Sequence, residues 1–234
     1  MNKKEVLSRL SAKESYDFQD LREIMELLRS EGGCPWDIEQ THKSIRSCMI
    51  EEAYEVVEAI DTENPVLLRE ELGDVLFQVM FHSRIEEENG RFDVSDVIHD
   101  IAEKMIHRHP HVFSDVEVAD SEAVLNRWEA IKTEEKQRVT LSSRLRAVPP
   151  MLPALMRASK IVKKAGQIEG VTAEDVRTAV DGLDAKGDGQ AVGELLLATV
   201  RYAASKGIDA EQMLGQAVER VIREVEAEEK IENT

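Results

Sequence analysis

Seven carboxylates fall at helical spacing in two neighbouring stretches. "MIEEAYEVVEAI", Met49 to Ile60, carries Glu51, Glu52, Glu55 and Glu58, and "LLREELGDVLFQVMF", starting at Leu67, carries Glu70, Glu71 and Asp74. On a helix, Glu51 and Glu55 lie one turn apart on a shared face, with Glu52 displaced to its edge; Glu71 and Asp74 repeat the arrangement at i and i+3. The short connection "DTENP" favours antiparallel packing, which brings the two sets together. Converging carboxylates repel one another, and a hard divalent cation with oxygen ligands is the usual compensation. Mg²⁺ suits them best, because it takes few protein carboxylates and is completed by water and phosphate oxygens. Two solvated helix faces are the plainer alternative, since charged surface helices are common. Ala53, Val56, Val57 and Ile60 surround the first set, Leu72, Val75, Leu76, Val79 and Met80 around the second read as buried, and both weigh against it. Gly73, inside the second helix, costs up to about 1 kcal/mol relative to alanine, and close approach of another helix is a reason to tolerate it.

The elements that must position these groups read as helices almost throughout, because aromatics are 4% of the chain and the long segments follow a helical period. After a polar leader, the spacing predicts a helix over 18–28, stopped by "EGGCPWD", where Gly32, Gly33 and Pro35 make a turn that holds Trp36. A second helix runs over about 44–60, a third over about 66–88, and a fourth from 95 or 96 to 109, capped by "DVSD" and ended before Pro110. Four helices with short links form a bundle. One more helix, about 121–135, lies in a linker. After "AVPPMLPALM" the pattern recurs: "GELLLATVRYAASKG" parallels "GDVLFQVMFHSRIEEENG", with Gly193 at Gly73 and Asp209 at Asp93. The expected organisation is a first domain over 1–113, a linker with one helix over 114–147 and a second copy over 148–234.

Composition narrows the function classes. The chain has 234 residues and a formal net charge of −17; residues 1–140 hold 17 basic and 32 acidic residues, the remainder 13 and 15. A surface this negative repels nucleic acid and anionic lipid unless a basic patch is assembled. No 18-residue apolar run and no secretion signal are present, and Cys34 and Cys48 have no metal-finger spacing, so the expectation is a cytoplasmic protein with no nucleic-acid or membrane partner.

Five motifs, in order, resemble the MazG family of nucleoside triphosphate pyrophosphohydrolases: "GCPWDIEQTH", "EEAYEVVEAI", "ELGDVLFQVMF", "RHPHVF" and "NRWEAIKTEEK". The resemblance covers nearly the whole chain. It implies an all-α fold of duplicated four-helix-bundle-like MazG domains, and Mg²⁺-dependent cleavage of nucleoside triphosphates to monophosphate and pyrophosphate. It also implies assembly as a homodimer or higher homo-oligomer. The family's metal motif falls on Glu51, Glu52, Glu55, Glu71 and Asp74, its basic pair on Lys104 and Arg108, and its aromatic on Trp128, the last three as substrate-binding groups. Read alone, the basic pair is a solvated face and Trp128 a packing residue. Trp36, His109 and His111 read as structural, and His82 and His99 as surface histidines.

The second copy departs from the motif, with Ala191 and Glu194 where the first has Glu71 and Asp74, and with Arg220 and Glu224 at the basic pair. Its site is expected to be inactive. In the first copy, in-line attack of water on the α-phosphorus is expected, with Glu52 and Glu55 as the catalytic carboxylates and Glu52, by its edge position, the first candidate to take the proton, although the sequence does not single it out. A non-catalytic nucleotide-responsive scaffold, and a narrower enzyme such as a phosphoribosyl-ATP pyrophosphatase, remain as alternatives.

Overall fold

The computed structural model describes residues 3–116, 120–135 and 140–232. Parts of the expected linker, 117–119 and 136–139, lie outside them. The described residues form thirteen helices and no strand, and the chain divides into two units, 1–117 and 118–234.

In the first unit the helices are α1 (Lys3–Ser11), α2 (Phe18–Leu28), α3 (Pro35–Glu39), α4 (Arg46–Asp61), α5 (Pro65–Glu88), α6 (Val94–Arg108) and α7 (Pro110–Phe113). The expected polar leader is a helix instead: Val6 and Leu10, one turn apart, are buried, and Arg9 and Lys13 both reach the buried Asp20 of α2. Those two cations and the backbone N–H of Asp17 hold the Asp20 carboxyl far below the usual carboxylate range. Reciprocal capping boxes start α2 (Asp17 with Asp20) and α6 (Asp93 with Asp96), each satisfying N–H groups that have no partner inside the helix. Asn64 caps α5, and Pro65 at its first position needs no N–H bond there.

Gly33 is required by contact, since a Cβ there would lie 2.4 Å from the carbonyl oxygens of Leu27 and Leu28 and 2.8 Å from that of Ser30. Gly73 is the opposite case. A Cβ there would meet nothing within 4 Å, so close helix approach does not explain it.

Met25 of α2, Ile45 at the start of α4, Met80, Phe81 and Ile85 of α5 and Val94 of α6 form the core of this unit. Each such side chain contributes about 1.5–3 kcal/mol by leaving water. Leu72 and Leu76 do not join it. They are 52% and 40% exposed, because only one stripe of α5 faces α2 and α6. Val57 and Ile60 of α4 are likewise exposed.

The second unit contains α8 (Ser121–Glu135), α9 (Leu141–Arg146), α10 (Ala154–Lys164), α11 (Ala173–Lys186), α12 (Gly189–Ser205) and α13 (Ala210–Glu232). The expected linker therefore carries two helices, α8 and α9. Val162, Val200 and Ala204 make a smaller core between α10 and α12. Asp209 accepts hydrogen bonds from the N–H groups of Glu211 and Gln212, the same offsets at which Asp93 caps α6.

Candidate active site

α4 and α5 are joined by Thr62–Asn64, where Glu63 takes a positive φ of 52°, and they pack along each other. Their acidic residues meet across the hairpin. Glu52 and Glu55 of α4 and Glu71 of α5 each offer a carboxylate oxygen within 4.8 Å of those of the other two. Glu71 is buried, Glu52 half-buried and Glu55 exposed, so the cluster has an interior side and a side open to solvent.

Its electrostatics follow from that placement. Burial pushes the Glu52 carboxyl up, helped by a hydrogen bond with Glu55 and by the charges of Asp74, Glu55 and Glu71. Burial likewise pushes Glu71 up, with Glu55, Asp74, Glu70 and Glu58 adding to it. Asp74 is thus close enough to act on both, although it is exposed. Glu51 is exposed and stands outside the group of three. Three carboxylates from two helices, oxygen donors only, self-repelling and open on one side, fit a hard divalent cation completed by water and substrate oxygens.

The basic pair separates by environment, with Lys104 exposed on α6 and Arg108 buried one turn later. Trp128 lies on α8 of the second unit, half-buried, with the Lys132 ammonium 4.4 Å from its ring centroid. His109 closes α6 through Nδ1 on the Met105 carbonyl oxygen, 2.7 Å away.

The family model for the MazG nucleotide pyrophosphohydrolase domain matches residues 40–113. This segment contains α4 to α7, and with them all the carboxylates above, Lys104 and Arg108. The nucleoside triphosphate pyrophosphohydrolase/pyrophosphatase MazG of Thermotoga maritima is 38% identical over 224 residues, 92% of this chain and 86% of that protein. The chain belongs to the MazG family. The nucleoside triphosphate pyrophosphohydrolase of Escherichia coli K12 is 43% identical, over 87% of this chain and 84% of its own length. The uncharacterized protein YabN of Bacillus subtilis is 51% identical over 148 residues, and there the match spans 63% of this chain but only 30% of the relative.

Sequence reasoning missed one polar cluster in this MazG unit. His82, read as a surface histidine, is bonded through Nδ1 to Nδ1 of His42, 2.7 Å away, and Nε2 of His42 meets the Glu86 carboxylate. Arg91 holds the same carboxylate, with Nη2 2.7 Å from Oε1. A signal was present: Asp74, Gln78, His82 and Glu86 recur every four residues, a polar ridge along α5 that passes through its apolar middle, Val75 to Phe81. On it Gln78 is buried, and its Oε1 has no hydrogen-bond partner among the described residues.

Proposed function

We propose that this chain hydrolyses nucleoside triphosphates between the α and β phosphates, giving a monophosphate and pyrophosphate, with Mg²⁺ held by Glu52, Glu55, Glu71 and Asp74 and by Glu51 at the open edge. The observation that carries the reading is the convergence of Glu52, Glu55 and Glu71 from α4 and α5 inside the segment matched by the MazG domain. A cation held there supplies charge neutralisation at the phosphates and a water of lowered pKa.

The chain's own groups divide the remaining work. Glu52, half-buried at the edge of the cluster, takes the proton from the attacking water as the bond to the α-phosphorus forms and the bond to the pyrophosphate oxygen breaks. Glu55 accepts and shares that proton through its hydrogen bond with Glu52. Lys104 and Arg108 pair with the triphosphate. Hydrolysis in ¹⁸O-water tests the bond assignment: label in the monophosphate is expected, and label in pyrophosphate or release of a nucleoside diphosphate overturns it.

We further propose that the protein works as a homodimer or higher homo-oligomer. Ile50, Tyr54 and Val57 at i, i+4 and i+7 of α4, with Leu72 and Leu76 of α5, leave an apolar face on the hairpin of the kind that two-fold pairing covers. Met80, one turn beyond Leu76, belongs to the core instead. Light scattering over a dilution series checks the assembly, and an active species near 26.4 kDa would rule it out. We place the protein in the cytoplasm, a reading that rests on its two free cysteines. Among the described residues no helix is long and apolar enough to cross a membrane.

A further inference from the structure

The His42–His82 pair has a geometry that fixes where its protons are. The ring centroids are 5.0 Å apart, the planes differ by 10° and the two Nδ1 atoms are 2.7 Å apart. A centroid separation that long is reached only when both nitrogens lie between the centroids on one line. The rings therefore meet edge to edge and nearly coplanar, with the two Nδ1 lone-pair directions pointing at each other. One proton, and only one, fits between them.

Glu86 sets its direction. Arg91, followed by the bond to His42, brings the Glu86 carboxyl down to about 2, against the effect of burial, so it is an anion that accepts from Nε2–H of His42. His42 then offers a lone pair at Nδ1, and Nδ1–H of His82 donates to it. A single additional proton on either ring leaves a proton between the two Nδ1 atoms and so preserves the bond. A second one puts N–H against N–H at 2.7 Å and breaks it.

The bond joins parts of the chain that are far apart in sequence. His42 lies in the loop between α3 and α4, and His82 and Glu86 lie on α5. Arg29, the residue that follows α2, fastens α3 and the start of this loop independently, donating to the carbonyl oxygens of Asp37 and Gln40 and pairing with Glu88 at 2.8 Å. Arg91, after α5, is engaged with Glu86, while Lys43 in the loop and Arg46 at the start of α4 are exposed. Trp36 of α3 sits edge-on to Phe81 of α5, with 6.4 Å between ring centroids.

We propose that His42 and His82 form a one-proton latch, closed while the pair carries at most one extra proton and released when both imidazoles are charged, which frees the loop around His42 from α5 and moves Trp36 off Phe81. Burial and the neighbouring His42 push the His82 imidazole below the ordinary histidine range, so the doubly charged state forms only in acid. The sign is that of a base kept neutral by the fold: its stabilisation is present above the unfolded value of about 6.5 and is lost as pH falls through the lower folded value.

The test uses the full chain with Trp128→Phe, which leaves Trp36 as its one indole. Ring ¹⁵N signals and indole emission are followed from pH 8 to pH 4.5 with far-ultraviolet circular dichroism alongside. Two protonation steps of the pair are expected, more than about one pH unit apart, and Trp36 emission should follow the second step at constant helicity. Adding His82→Gln should abolish the emission step. Independent single titrations of the two rings near the ordinary histidine value would overturn the proposal, as would an emission step that persists in the His82→Gln protein. If that variant does not fold, the ring signals of the parent decide.

Discussion

Glu71 of α5 and Ala191 of α12 occupy the same step of two similar helices, at 9% and 5% exposure. The register continues along both: Met80 and Val200 are buried, Ser83 and Ala203 are buried, and Gly73 and Gly193 both face open space. In each unit the helix packs on a preceding partner, α4 on one side and α11 on the other. The position is thus interior by architecture, and alanine fills it in the second unit at no electrostatic cost. Glu71 there is pushed up by burial and by four neighbouring acids, so the first unit carries a carboxylate that its packing does not require. What that carboxylate serves is the cluster with Glu52 and Glu55. Among the described residues that group of three is the only one of its kind, and Glu194 of α12 is exposed outside any such group.

Turnover breaks this comparison with the largest effect. Glu55→Ala is expected to reduce pyrophosphate release to background, and Glu52→Gln to lower kcat by about 10²–10⁴-fold through loss of the proton acceptor. Steady-state assays at saturating Mg²⁺, with circular dichroism to confirm the fold, measure both.

Backbone space separates the units less than their chemistry does. Gly33→Ala forces a Cβ into three carbonyl oxygens and is expected to lower stability by roughly 1–3 kcal/mol. Gly73→Ala and Gly193→Ala, both inside helices with open space around them, should each raise it by up to about 1 kcal/mol. Urea unfolding of the three variants would separate these signs, and a loss at Gly73 or Gly193 would point to a contact made only in the assembly.

Acidity provides the smallest contrast. Glu52 and Glu71 have folded values above their unfolded ones, so their favourable contribution is present below about 4.5 and disappears as pH rises through the raised values. Without divalent cation, Glu71→Gln should therefore melt higher than wild type at pH 7, and the gap should close as pH falls. Glu86 runs the other way: its contribution is present above about 4.5 and is lost as pH falls toward about 2. Thermal melts in chelator between pH 3 and pH 8 resolve the two trends.

The helices were legible because their period and punctuation are local. The spacing predicted 18–28, 44–60 and 66–88, and the structure has Phe18–Leu28, Arg46–Asp61 and Pro65–Glu88, with Asn64–Pro65 and Asp93 setting boundaries as capping physics requires. The carboxylates of α4 and α5 were legible for the same reason. Which apolar residues are covered was not, because period 3.6 marks a stripe without saying what packs on it, and Leu72 and Leu76 show both the stripe and the exposure. The His42–His82 bond spans forty residues and depends on how the loop before α4 folds back, which neither residue's neighbours encode.

We propose that α4 and α5 hold the working metal site; among the described residues the second unit has no comparable group of carboxylates. Mg²⁺ titration calorimetry of wild type, Asp74→Ala and Glu194→Ala, with pyrophosphate release measured on the same samples, tests it most directly. Binding and release are predicted in wild type and Glu194→Ala and neither in Asp74→Ala. Wild-type release by Asp74→Ala, or loss of binding in Glu194→Ala, would contradict the account.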